Sequence, residues 1–185
     1  MRLFIAINFP DKIKRGILLQ IVKLKLLIPQ VSWVKAENLH LTLKFLGYSK
    51  GDKLEKIKKG IGAVIKDFEP FELNISKGGY FQREPFIIQL NLGNSATLNS
   101  LANRLEKEMG KLGFKKEIHP YTPHVTLGRG RRLKKEEVED IKRAINQIRS
   151  LAPIKFEVKN ITLVESQMTR SGSIYTDLDV YEFPV

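Results

Sequence analysis

Two short segments 84 residues apart share one pattern: Leu39-His40-Leu41-Thr42-Leu43-Lys44-Phe45 and Pro123-His124-Val125-Thr126-Leu127-Gly128-Arg129. Apolar and polar residues alternate in both, the mark of a strand buried on one face only. By that alternation His40, Thr42 and Lys44 share one face, and Leu41, Leu43 and Phe45 anchor the other. On the second strand His124 and Thr126 stand together, with Val125 and Leu127 turned to the core. Each strand thus presents an imidazole and a hydroxyl about 6.5–7 Å apart on a rigid backing. The chain has seven threonines and three histidines in 185 residues, and two of those histidines lead a His-x-Thr. A fold for this chain must bury two such strands and hold both polar faces clear of the core.

The surrounding sequence supplies helices to cover them. Arg2–Phe9 reads as a strand closed by Pro10. Asp11 is placed to cap a helix with Ile13, Ile17, Ile21, Leu24 and Ile28 on one face, ended by Pro29. After the His40–Leu46 strand and Gly47, Asp52 is placed to cap a second helix carrying Leu54, Ile57, Ile61 and Val64. Strands are expected over Phe71–Phe81 and Phe86–Leu92. A third helix carries Leu98, Leu101, Leu105 and Met109 and stops near Gly110. A fourth runs from Lys134 to Arg149 with Val138, Ile141, Ile145 and Ile148 inward, and strands near Phe156–Val164 and Ile174–Phe183 close the chain. Strand and helix units fall into two batches, each with one His-x-Thr strand. That predicts an α+β protein in which residues 1–185 form a single domain of two lobes, with a duplicated element in each.

Charge and composition narrow the partners. Thirty-two Lys+Arg against 20 Asp+Glu leave a formal net charge of +12, which concentrates polyanions, nucleic acid above all. Charge networks in heat-adapted proteins are the competing explanation. With no cysteine there is no disulfide framework, in keeping with a reducing cytoplasm. The first ten residues lack the pattern of a secretory leader, and no apolar run nears the 18 or so residues of a membrane span. A cytoplasmic protein without membrane attachment, and a monomer, is the expectation.

Two imidazoles titrating near 6.5 can divide the roles of general base and general acid at neutral pH. Two hydroxyls can donate to the non-bridging oxygens of a phosphate between them, an arrangement suited to in-line displacement at phosphorus. His119 falls outside the pattern and reads as a surface or loop histidine. A zinc site would need three or four ligands, and neither a cysteine cluster nor a His-Glu-x-x-His helix is present, so no metal is expected. Gly78-Gly79 is too short for a phosphate loop and there is no Gly-x-x-x-x-Gly-Lys, so neither a nucleoside triphosphate site nor any cofactor is expected.

The chain resembles the 2H phosphoesterases, in particular the branch of 2′-5′ RNA ligase-like RNA 2′,3′-cyclic phosphodiesterases. The resemblance is carried by Arg2-Leu3-Phe4-Ile5-Ala6-Ile7, Trp33, Glu37-Asn38 leading into His40-Leu41-Thr42-Leu43-Lys44-Phe45-Leu46-Gly47, and the Pro123–Arg129 segment. Ile161-Thr162-Leu163-Val164-Glu165-Ser166, Gly172 and Tyr175 add to it. It implies a bilobal fold of two antiparallel sheets flanked by helices, with pseudo-two-fold symmetry and an active-site cleft between the lobes. It implies hydrolysis of a terminal 2′,3′-cyclic phosphate to a 2′-phosphate, His40 protonating O3′ and His124 activating water. By the same match Thr42 and Thr126 hold the phosphate and Arg129 contacts it. RNA with 2′,3′-cyclic phosphate ends, such as tRNA halves, is the implied partner, and reversal with an RNA 5′-hydroxyl would form a 2′-5′ linkage without ATP.

Other residues have two readings. Lys44 either reaches the phosphate or is simply solvated. Arg129, Arg131 and Arg132 surround Gly130 as either a charged loop or a phosphate clamp, with Arg129 the best candidate for the phosphate and the other two a general attraction for RNA. Tyr80, Phe81 and Tyr121 either stack on a terminal base or fill the core. Two rival functions remain: a non-catalytic basic RNA-binding module, and a two-histidine phosphodiesterase of small nucleotides.

Overall fold

Nine strands and four helices, all among the described residues, assemble around the two His-x-Thr strands. The computed structural model describes residues 1–148, 154–170 and 172–184. In chain order the elements are β1 (Arg2–Asn8), α1 (Asp11–Leu27), β2 (Ser32–Trp33), β3 (His40–Tyr48), α2 (Leu54–Ile65), β4 (Phe71–Phe81) and β5 (Phe86–Leu92). Then come α3 (Ala96–Lys111), β6 (His124–Gly130), α4 (Lys135–Ile148), β7 (Ile154–Val158), β8 (Asn160–Thr169) and β9 (Gly172–Glu182).

The strands run antiparallel in the order β7-β4-β5-β6-β3-β1-β8-β9, with β2 pairing β6. The two motif strands are neighbours at the centre, where Leu41 and Val125 form their one partnered pair. That seam divides the strands into two equivalent antiparallel sets. In each, a motif strand (β6 or β3) is followed outward by β5 or β1, then β4 or β8, then β7 or β9. The helices exchange sides: α1 lies with α4 over β4 and β7, and α2 lies with α3 over β3 and β9. This is the α+β, pseudo-two-fold architecture that the resemblance implies, except that the two antiparallel sheets it implies are joined at the seam into one nine-stranded sheet.

Helical spacing explains the packing. Ile17, Ile21 and Leu24 of α1, Ile57, Ile61 and Val64 of α2, Leu98, Leu101, Leu105 and Met109 of α3, and Ile141 and Ile145 of α4 are buried in one core. They meet Leu41 and Leu43 of β3 and Val125 and Leu127 of β6 there. Each such side chain stabilises the fold by about 1.5–3 kcal/mol. β1 is apolar on both faces because Leu3, Ile5 and Ile7 join this core, while Phe4 and Ala6 join Val164 in a small cluster on the opposite face.

The helix starts differ from the sequence reading. Asp11 is the first residue of α1, which Pro10 precedes, and no side chain caps it. Asp52 lies in a 3-10 turn, Gly51–Lys53, and α2 also starts without a side-chain cap. Both acids still favour their helices by sitting near the positive end of the dipole. Arg149, the expected end of the fourth helix, and the side chain of Ile148 lie outside the described residues. The expected strand near Phe156–Val164 is two strands that part at Lys159: β7 pairs β4 at one end of the sheet, whereas β8 pairs β1 and β9 in the other half.

Candidate active site

Strict alternation would turn Lys44 toward the histidines and Arg129 away from them. The reverse is found, because both motif strands carry a bulge at the same place. On β3, Thr42 is opposite Ala6 and Lys44 opposite Ile5, leaving Leu43 as the extra residue. On β6, Thr126 is opposite Gln89 and Gly128 opposite Ile88, leaving Leu127 extra. A bulge adds one residue and exchanges the two faces beyond it. His40, Thr42 and Phe45 therefore face a cavity of about 310 Å³, together with His124, Thr126 and Arg129.

Lys44 is accordingly a core residue, only 2% exposed. Its ammonium lies 2.8 Å from Glu106 Oε2 and 3.8 Å from Glu117 Oε1 and donates to the Lys115 carbonyl at 2.8 Å. Neither the phosphate role nor the solvated one expected of it holds. Gly128, turned inward by the other bulge, lets β2 approach: a Cβ there would lie 2.6 Å from Val31 Cγ1 and 3.2 Å from Trp33 Cε3.

The two imidazoles are held alike. His40 Nδ1 is 2.7 Å from the Asn38 carbonyl and His124 Nδ1 is 2.8 Å from the Thr122 carbonyl, in each case two residues upstream. A carbonyl only accepts, so Nδ1 carries the proton in both rings and Nε2 is the atom that exchanges one. His40 Nε2 meets Thr42 Oγ1 at 3.0 Å. Aromatic rings brace both imidazoles: Phe4 and Tyr175 at 4.9 and 5.3 Å from His40, and Phe81 at 5.0 Å from His124.

Both histidines give up their charge easily. Burial pulls His40 from 6.5 to about 4, against the hydrogen bond to Asn38, and the charges of Arg129, Lys14 and His124 add to the fall. His124 is also lowered, first by burial, then by Arg83 and Arg129, against its bond to Thr122. Arg129 acts on both rings, so one cation influences the whole site. An anion between the rings would offset that positive field and favour the imidazolium forms.

Of the aromatics considered for base stacking, Phe81 stands beside His124. Tyr80 stacks instead on Phe86 at 5.3 Å, outside the cavity. Tyr121 donates from Oη to the Thr42 carbonyl at 3.0 Å, and burial raises its hydroxyl well above the ordinary range. It fastens the lead-in to His124 onto the His40 strand, a second tie across the seam. Arg131 lines the cavity and Arg132 does not, its N–H bonding Glu84 instead. His119 is exposed in a loop, as expected. Among the described residues, no three of His, Cys, Asp and Glu gather as a metal-binding set.

Sequence reasoning did not single out Phe4, Arg83 or Asn38 for this site, and it set Phe45 on the core face with Leu41 and Leu43, whereas beyond the bulge Phe45 is 54% exposed at the cavity. Asn38 is within the quoted segment, but the structure adds its role: its carbonyl orients His40 and its Nδ2 donates to the Ser173 carbonyl at 2.9 Å, tying β9 to the site. No helix among the described residues is long and apolar enough to cross a membrane.

Known proteins are similar to this chain in sequence and in fold. The family model of the 2′-5′ RNA ligase superfamily matches residues 17–170. A protein of Archaeoglobus fulgidus named RNA 2′,3′-cyclic phosphodiesterase is 34% identical over 184 residues, spanning 98% of this chain and 100% of that one. One of the same name from Methanothermobacter thermautotrophicus is 30% identical over 183 residues, 98% of each chain. Among solved structures, E. coli LigT complexed with 3′-AMP is similar with a TM-score of 0.76 at 25% identity, covering 98% of this chain and 97% of that one. The matches take in both motif strands, and the chain belongs to the 2′-5′ RNA ligase superfamily of 2H phosphoesterases.

Proposed function

We propose that the protein is an RNA 2′,3′-cyclic phosphodiesterase working as one domain of two lobes, with the reaction in the cleft between them. The observation that carries this reading is the pair of imidazoles facing one cavity, each locked by a backbone carbonyl so that Nε2 does the chemistry. The names of the relatives support the substrate class.

In the reaction, His124 Nε2 takes a proton from water as its oxygen attacks phosphorus. The bond from phosphorus to O3′ breaks on the opposite side, and His40 Nε2–H protonates the departing O3′. The products are a 2′-phosphate and a free 3′-hydroxyl, and the pair of rings returns to its starting charge after one proton exchange with solvent. Thr42 and Thr126 donate to the non-bridging oxygens, and Arg129 balances the charge that gathers there. The 3.0 Å contact between Thr42 Oγ1 and His40 Nε2 gives way to these bonds when phosphate binds, because the hydroxyl and Nε2 have one proton each to give. With an RNA 5′-hydroxyl in place of water, His124 takes the proton of that hydroxyl, its oxygen attacks phosphorus, and O3′ leaves with the proton of His40, so that a 2′-5′ linkage forms with the phosphoester energy already in the substrate. A net charge of +12 favours RNA over a small nucleotide as the partner.

An oligoribonucleotide ending in a 2′,3′-cyclic phosphate tests this directly. The expected product carries a 2′-phosphate, and turnover is expected to persist in EDTA; a 3′-phosphate product would contradict the assigned geometry. The pH profile adds a second check. Turnover requires one ring charged and one neutral, and both rings lose their proton below 6.5, His40 near 4. The bell in kcat/KM, which reports the free enzyme, is therefore expected to peak on the acid side of 6.5 and fall as pH rises. The kcat profile should lie at higher pH, because bound phosphate favours the charged rings. A kcat/KM maximum above pH 7 would contradict the field described for the site.

A further inference from the structure

In-line displacement at phosphorus gives the cavity two sides. The bond to O3′ breaks opposite the bond that forms, so the sugar of the cyclic phosphate lies toward His40 and the nucleophile toward His124. Arg83 stands on the nucleophile's side. It lines the cavity, and its guanidinium lies over the Phe81 ring at 5.1 Å, while that ring meets the His124 imidazole at 5.0 Å. Its charge acts on His124, whereas Arg129 and Lys14 act on His40. Arg83 is exposed on the turn between β4 and β5, and the ion pairs among the described residues do not include it. Glu84, the next residue, is turned instead to the Arg132 N–H at 3.3 Å. Lys14, on the other side, donates to the Glu37 carbonyl at 3.2 Å. Water is neutral and gives a cation beside the nucleophile nothing to hold. An RNA strand offering its 5′-hydroxyl differs, because its first phosphate follows one sugar away.

We infer that Arg83 binds the first phosphate of the RNA strand that supplies the 5′-hydroxyl, and so determines how well that strand competes with water. A guanidinium suits the task because its planar fork meets two phosphate oxygens at once. Held there, the strand sets its 5′-oxygen at the phosphorus, opposite O3′. The new bond joins that oxygen to phosphorus, and the electron pair of the broken bond leaves with O3′. His124 takes the proton of the 5′-hydroxyl and His40 gives one to O3′. Arg129 and Arg83 thus serve separate anions, the phosphate in reaction and the phosphate behind the nucleophile. Phe81 sets the spacing of the two, since its ring stands next to both His124 and Arg83. This rests on the two-histidine reading of the reaction.

Two acceptors test it, each offered with an oligoribonucleotide ending in a 2′,3′-cyclic phosphate: a nucleoside, and the same nucleoside carrying a 3′-methylphosphate diester. Both have the 5′-hydroxyl, and only the second has the phosphate. The wild type is expected to form the 2′-5′ linkage with a lower KM for the diester. In Arg83→Gln that preference should fall about tenfold, the loss of one charge-assisted hydrogen bond. Arg83→Lys should retain part of it, because the charge stays and the fork goes. The ratio of the two acceptors at one pH is insensitive to changes in His124 or Phe81, which affect both alike. Thermal unfolding of the variants should match the wild type, the side chain being exposed. A wild type without the preference, or an unchanged ratio in Arg83→Gln, would overturn the inference; equal losses with both acceptors would reduce Arg83 to a support for Phe81. If the wild type hydrolyses the cyclic phosphate but joins neither acceptor, the inference fails and the hydrolytic reading stands. If it does neither, the two-histidine reading fails with it.

Discussion

Replacing His40 or His124 by alanine is expected to slow cyclic-phosphate hydrolysis by about 10²–10⁴-fold each, the usual contribution of a positioned general acid or base. The two losses should not add in the double variant, because each ring is useful only while the other exchanges a proton with the same phosphoryl group. Gln in place of His40 keeps a polar side chain of similar reach without a titratable nitrogen, and is expected to lose activity as Ala does. Initial rates with an oligoribonucleotide cyclic phosphate, beside circular dichroism of each variant, make the measurement. Near wild-type rates in either folded variant would leave the non-catalytic RNA-binding module as the better account. That module predicts unchanged RNA affinity when the histidines go, and a steep fall of affinity with salt.

The second large effect is on stability. Lys44→Ala is expected to destabilise the fold by about 3 kcal/mol, the lower end of the cost of breaking a buried ion pair. The lower end applies because Glu106 retains 21% side-chain exposure and can recover some hydration. A few kcal/mol is a large share of the 5–15 kcal/mol typical of a domain, so the midpoint of urea unfolding should move clearly. Lys44→Met should lose less, since it keeps the aliphatic stem packed against α3 and gives up only the charge. Activity per folded molecule should change little in either. Unchanged unfolding with lost turnover would mean that Lys44 reaches the phosphate, as plain alternation along β3 predicts.

That contrast marks where the sequence stops being legible. The helices were readable because spacing of three and four is a local property, set by side chains such as Ile57, Ile61 and Val64 on one turn and the next. The motif strands were readable too, since Leu41 and Val125 alternate with the polar residues that share their strands. What failed was the continuation beyond Thr42 and Thr126. A bulge is chosen by the register of the neighbouring strand, here β1 for one and β5 for the other. Neither Leu43 nor Leu127 carries a signal of its own. The break at Lys159 was hidden for the same reason: β7 and β8 are each adequate strands, and only their partners send them to opposite halves of the sheet.

By itself, then, the order of residues determined which groups stand together at the cavity: two imidazoles and two hydroxyls on a strongly basic chain, in a repeated pattern that makes two equivalent strands. Only the tertiary structure decided which neighbours join them. It buried Lys44 as a counter-charge for Glu106, turned Arg129 into the cavity, and left Phe45 at its wall. The physical reason is that a side chain's face depends on every residue paired between it and the motif, and those pairings are made by strands distant in the chain.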